Sequence, residues 1–142
     1  MLELNGRCHC GNIHIRYSTH IAPEQAALRA CQCSFCRKHQ ARAVSDPAGH
    51  VEFSVAHTAD LSRYQFGLRS AQFLVCRECG VYVGAFTPEH NPTSGHATLM
   101  VNVLDDEARY GAAAPTVYDA EDAQSRTARR RRVWTPATLT TR

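Results

Sequence analysis

Seven cysteines stand in three short windows of the sequence: Cys8-His9-Cys10, Cys31-Gln32-Cys33-Ser34-Phe35-Cys36 and Cys76-Arg77-Glu78-Cys79. Spacings this short let one backbone turn aim two sulfurs at a single ion, and thiolates are preferred ligands of zinc. Gly11 and Gly80 directly follow the first and last windows, where a tight turn asks for a residue free to adopt positive φ. No cysteine lies outside a window. Buried cysteines that act as small hydrophobes have no reason to cluster in this way. Complete pairing into disulfides is ruled out by the odd number, and clustered thiols in a reducing compartment are metal ligands or catalytic groups.

A closed tetrahedral zinc site takes four protein ligands, whereas a working zinc keeps a position open with three. The two double windows can supply the closed site, with Cys8, Cys10, Cys76 and Cys79 clipping the N-terminus to a distant segment. The triple window supplies Cys31, Cys33 and Cys36, whose fourth position is left for water or substrate. Two zinc ions per chain are expected. Zinc with three or four thiolates is a net anion, so neighbouring cations offset its charge. Arg37 is the candidate for that role beside the open site, and Arg7, Lys38 and Arg77 read more simply as solvated loop residues. Among the eight histidines, His9 alternates away from the metal its neighbours share and reads as a surface group. His39, just beyond the triple window, is the candidate acid or base, with Asp46 or water as alternatives.

The elements that must position these groups are mostly strands. Asn12 to Ser18 alternates with Ile13, Ile15 and Tyr17 in phase, and Val51 to Val55 alternates in the same way, so both read as half-buried strands. Ala71–Val75, Val81–Phe86 and Thr98–Val103 are further candidates, rich in β-branched and aromatic residues. Pro47, Gly49, Pro88, Asn91-Pro92, Gly95, Gly111 and Pro115 punctuate the intervals. The domain is therefore expected to be mainly β, with one or two short helices. Ser34 could cap the first, running to Gln40, and Asp119 the second, from Ala120 to about Arg130. That second helix would end on Arg129-Arg130-Arg131-Arg132, a run that reads as a solvated terminus matched to the helix dipole rather than as a nucleic-acid patch. Trp134 reads as a packing residue that pins the tail to the sheets.

Length and composition set the frame. A chain of 142 residues suits one domain, here 1–142 with a C-terminal helix and tail from about 119. A hydrophobic fraction of 44% is slightly low, as expected where metal supplies part of the stability. No apolar run is long enough to span a membrane. The N-terminus has neither the basic start nor the apolar stretch of a secretory signal, which points to the cytoplasm. The formal charge of +3 is cancelled once seven thiolates and two divalent ions are counted, so net charge argues for no nucleic-acid partner. The pattern leaves room for a homo-oligomer.

Gly6-x-Cys8-x-Cys10-Gly11, Cys31-x-Cys33-Ser34-x-Cys36-Arg37 and Cys76-x-x-Cys79-Gly80 resemble the glutathione-dependent formaldehyde-activating enzyme family, the Gfa/CENP-V domain. The resemblance extends over most of the chain, including the strand leading into Asp105 and the C-terminal Trp134. It implies a Mss4-like (β-tent) fold of small antiparallel sheets around zinc sites, with the same four-plus-three division of ligands. It also implies carbon–sulfur lyase chemistry on the adduct of a small thiol such as glutathione. A departure is Gln40, where the family favours a small residue. The rival reading, from a different class, is a non-catalytic zinc module that binds protein or nucleic acid.

Overall fold

A computed structural model describes residues 1–141; Arg142, the last residue of the expected tail, lies outside the described residues. The strands are β1 (Leu2–Arg7), β2 (Ile13–Thr19), β3 (Leu28–Cys31), β4 (Ala43–Val44), β5 (His50–Val55), β6 (Leu61–Tyr64), β7 (Gln72–Cys76), β8 (Tyr82–Glu89), β9 (Asn91–Met100), β10 (Ala113–Thr116) and β11 (Thr135–Thr141). Two α-helices interrupt them, α1 (Ser34–His39) and α2 (Ala123–Val133). The chain is mainly β. Its strands join by hydrogen bonds in the order β1-β2-β5-β11-β9-β4-β3-β10, and β8, β7 and β6 branch from β9.

The period of two in the sequence becomes the core. β2 and β5 pair antiparallel with Ile13 opposite Val55, Ile15 opposite Phe53 and Tyr17 opposite Val51, so the two apolar sets share one face. All six are buried. β11 then lies parallel to β5, with Ala137 beside Val51 and Leu139 beside Phe53, and antiparallel to β9 on its other edge. The C-terminal strand therefore sits inside the sheet.

Several elements begin or end where local chemistry overrides the simple pattern. β9 runs through Pro92 and Gly95, which read as turn residues in the sequence. The turn is instead made at His90, with φ of 69°, and Glu89 pairs with Asn91 directly across it. Val101–Val103, expected to continue that strand, forms a short 3-10 turn. α2 starts later than expected, because Glu121 still belongs to a turn closed on Tyr118. Asp122, not Asp119, caps α2: its carboxylate accepts from the Ser125 amide at 2.8 Å, and the Ser125 hydroxyl accepts from the Asp122 amide. In α1 the cap is Cys33 rather than Ser34, its sulfur accepting from the Cys36 amide at 3.4 Å. No helix among the described residues is long and apolar enough to cross a membrane.

Candidate functional site

The four sulfurs of Cys8, Cys10, Cys76 and Cys79 lie within 4.8 Å of one another, and so do the three of Cys31, Cys33 and Cys36. Each cluster is built by short turns at strand and helix ends. Cys8 follows β1, and the loop from it returns to β2 through hydrogen bonds from Gly11 N to Cys8 O and from Cys8 N to Ile13 O. Cys76 ends β7, and Gly80 N donates to Cys76 O at 2.8 Å. Gly11 and Gly80 both take the positive φ that these turns require, at 86° and 77°. The sequence therefore folds into two facing loops of the same design.

The donor set fits zinc. Zinc–sulfur bonds of about 2.3 Å at tetrahedral angles put sulfurs about 3.8 Å apart. Cys10 lies 3.5 Å from Cys76 and 3.8 Å from Cys8. Backbone amides already point at the sulfurs, as Ile13 N does at Cys8 Sγ at 3.3 Å, which favours thiolate ligands. In the protein without metal the thiols share protons unevenly. Burial pushes Cys76 up to about 12, whereas Cys79, against the opposing effect of burial, is held at about 6 by the backbone at Cys10 and Val81 and by its sulfur neighbours. In the triple cluster the hydrogen bond with Cys36 draws Cys31 down to about 5 and drives Cys36 far up.

The two clusters differ in what they border. Cys31, Cys33 and Cys36 line a cavity of about 330 Å³, and none of the four other cysteines does. α1 carries Cys36 and is capped by Cys33, Cys31 ends β3, and the helix is fixed by an aromatic group. Phe35 lies 4.9 Å from Tyr82, 5.0 Å from Phe73 and 5.5 Å from Phe66, ring centre to ring centre. Phe66, Phe73 and Tyr82 continue into the cavity wall, with Met100 and Trp134. Tyr82 is buried, which raises its phenol well above the usual tyrosine range, and the three sulfurs add to the effect. The phenol keeps its proton.

The opposite wall is α2. Arg126, Arg129 and Arg130 line the cavity, so the arginine run is not uniformly the solvated terminus expected from the sequence. Only Arg131 and Arg132 are exposed. The reason lies in helical geometry: positions 126, 129 and 130 share one face, and that face is turned inward. Glu121 takes Arg129 at 2.7 Å and Arg126 at 3.2 Å, and these pairs hold Glu121 below the usual carboxylate range. Arg129 also lies 3.7 Å from the Tyr118 ring centre. Arg130 packs its guanidinium 4.6 Å from the Trp134 ring and donates to the Ser70 hydroxyl at 2.7 Å. Burial, with repulsion from Arg129 and Arg126, lowers its pKa to about 10, so it remains charged at neutral pH. Arg29 reaches the same cavity from β3.

The other residues singled out in the sequence fall as follows. His39 is exposed at the end of α1, its ring 4.6 Å from Phe35 and 5.4 Å from Tyr82. Arg37 is exposed on the same helix and borders a shallower depression that Cys31 and Cys36 also reach. His9 is exposed, as expected. Asp46 is buried and structural: it accepts from the Thr19 hydroxyl at 2.6 Å and from the Ala48 amide at 2.9 Å. Gln40 is the left-handed C-cap of α1, with φ of 49°, a position where glycine or asparagine is usual. Trp134 is buried against Ala71 and Ala85, as its packing role required. Arg29, Arg126, Arg129, Arg130 and Tyr82 were not singled out for the site; the spacing of the α2 arginines was the signal available.

A family model described as glutathione-dependent formaldehyde-activating enzyme matches residues 3–121. A crystal structure of a protein from Rhodobacter sphaeroides superposes with a TM-score of 0.57 at 29% identity. That likeness covers 79% of this chain and 99% of the other. The family match ends before α2 begins, so the arginine wall lies beyond it.

Proposed function

The chain belongs to the glutathione-dependent formaldehyde-activating enzyme family, and from that membership we propose that it is a zinc-dependent carbon–sulfur lyase. Its substrate would be the adduct of a small thiol, glutathione or a relative, with an aldehyde, or a related thioether. The observation that carries this reading is the asymmetry of the two clusters. Three thiols open onto a cavity, and four lie away from it. A scaffold protein would gain most from closing both.

Cys8, Cys10, Cys76 and Cys79 would hold a structural zinc, and Cys31, Cys33 and Cys36 a second one with a position free. When bound there, zinc supplies a Lewis acid softened by three sulfur donors, suited to stabilising a thiolate. The chain's own groups do the rest. Phe66, Phe73 and Trp134 give the cavity an apolar wall against which the carbon chain of a substrate can pack. Cleavage of a thiol–aldehyde adduct breaks the carbon–sulfur bond, its electron pair leaving with sulfur, while the hydroxyl proton passes to a base. The reverse addition returns that proton to the carbonyl oxygen. His39 is assigned this proton transfer by its place after the cluster, whereas Tyr82 keeps its proton and serves the cavity as a wall.

Cobalt substitution tests the reading. A thiol that enters the open position adds sulfur-to-metal charge-transfer absorption, so glutathione should change the spectrum of the native protein and not that of Cys36→Ser. A spectrum unmoved by glutathione and simpler thiols at millimolar concentration would overturn the thiol chemistry and favour a binding module.

A further inference from the structure

Two arginines that line the cavity beside Cys31, Cys33 and Cys36 have no carboxylate in contact. Arg126 and Arg129 share Glu121 and are accounted for. Arg29 and Arg130 differ: among the described residues, no carboxylate lies within ion-pair distance of either. Their partners are hydroxyls. Arg29 donates to Ser45 at 2.5 Å and to Thr98 at 2.9 Å, and Arg130 donates to Ser70 at 2.7 Å. Arg130 is only 9% exposed, and its Nε is buried with no acceptor. The Thr116 hydroxyl is likewise buried without a partner, and Thr116 lines the same cavity.

A buried guanidinium without counter-charge is strongly unfavourable, and a buried N–H without an acceptor adds to the cost. Arg29 and Arg130 both line one small cavity of about 330 Å³. That size suits a small molecule. The planar fork of arginine matches the two oxygens of a carboxylate. The Trp134 ring stacked near Arg130 fixes the plane of the fork.

We propose that this cavity is a carboxylate pocket in which Arg130 and Arg29 hold an acid group of the substrate while its sulfur or carbonyl carbon lies at the three cysteines. The protein then acts on thiol or carbonyl compounds that carry a carboxylate, and selects against their neutral counterparts. This rests on the reading of the three-sulfur cluster as the reacting centre.

Calorimetric titration of the zinc-loaded protein tests it with matched probes: 3-mercaptopropionate, 2-mercaptoethanol and propionate. The acid thiol should bind about tenfold or more tightly than the neutral one, as charge-assisted hydrogen bonds imply, and propionate should compete with it. Arg130→Met and Arg29→Gln should each remove the preference and leave 2-mercaptoethanol binding unchanged. A lower melting temperature with the preference intact would mark Arg130 as structural and overturn the assignment. Should Arg130→Met fail to fold, Arg29→Gln and the native comparison decide. Glyoxylate tested against glycolaldehyde as competitor shows whether the acid belongs to the carbonyl partner rather than the thiol; no preference in either pair overturns the proposal and leaves the sulfur chemistry standing. Propionate binding that Arg130→Met abolishes, with no thiol binding at all, supports the pocket and overturns the proposed function.

Discussion

Cys33 is at once a helix cap and a member of the triple cluster, its sulfur accepting the Cys36 amide. One short segment thus carries all three sulfurs, Cys31 at the end of β3 and Cys33 and Cys36 at the start of α1. The other cluster is the opposite case, joining Cys8 and Cys10 to residues far along the chain. Binding energy at such a site is folding energy. Cys79→Ser is therefore expected to lower stability by several kcal/mol and to release its zinc. Cys36→Ser should keep most of the melting temperature and lose only the second metal, which three thiolates hold less tightly. Native mass spectrometry across a chelator series, with thermal unfolding of both variants, checks this. Equal thermal shifts would mean that the two clusters have been given the wrong roles. The cysteines were legible because their spacing alone encodes their purpose. Tyr82 was not, since a tyrosine in an alternating segment looks like any core aromatic until α1 is laid across it.

At the scale of elements, α2 shows where reading from sequence stops. Its arginines were read as a charge run, yet their spacing also places 126, 129 and 130 on one face. Which face turns inward depends on what the helix packs against, and only the fold supplies that. Glu121 anchors the face by pairing with both Arg126 and Arg129, whose side chains are largely buried with it. Glu121→Gln should cost about 1–3 kcal/mol, between the values for exposed and buried pairs. The pH dependence has a defined sign. Because Glu121 has a lowered pKa in the folded protein, the stability it adds is present above its unfolded value, about 4.3. That stability is lost as pH falls through the lower folded value. The difference in melting temperature between native protein and Glu121→Gln should therefore be constant near neutrality and shrink progressively in acid. A gap that widens in acid would contradict the pairing. β9 fails to show in the sequence for a related reason: Pro92 and Gly95 signal turns locally, while the real reversal falls on His90.

Across the whole molecule, the position of β11 decides how the site is held. The leaf of β1, β2 and β5 meets β9 and the strands beyond it through β11, which pairs with β5 along one edge and β9 along the other. The four-thiol cluster is a second tie between the same two regions, since it joins the loop after β1 to the end of β7. The mainly β class could be foreseen from alternation in β2 and β5, but the place of β11 could not. Thr135–Thr141 is rich in threonine and carries only a weak apolar period, and its insertion depends on partners far back in the sequence. The family match ends at residue 121, yet α2 and β11 are not dispensable additions to a complete core. The packing gives the reason: Leu139 is 1% exposed and lies beside Phe53, and Ala137 lies beside Val51. Removing residues 122–142 would strip β5 and β9 of their shared neighbour and open one wall of the cavity. The shortened chain should show no cooperative thermal transition even with zinc in excess, because the metal clip cannot replace the lost sheet and core. A milder change gives the graded version: Leu139→Ala should lower stability by about 2–5 kcal/mol while both metals stay bound. Denaturant unfolding and metal analysis of the two proteins decide the matter. If residues 1–121 unfold cooperatively at the native midpoint, the zinc clip alone holds the two regions together, and β11 is a cover rather than a keystone.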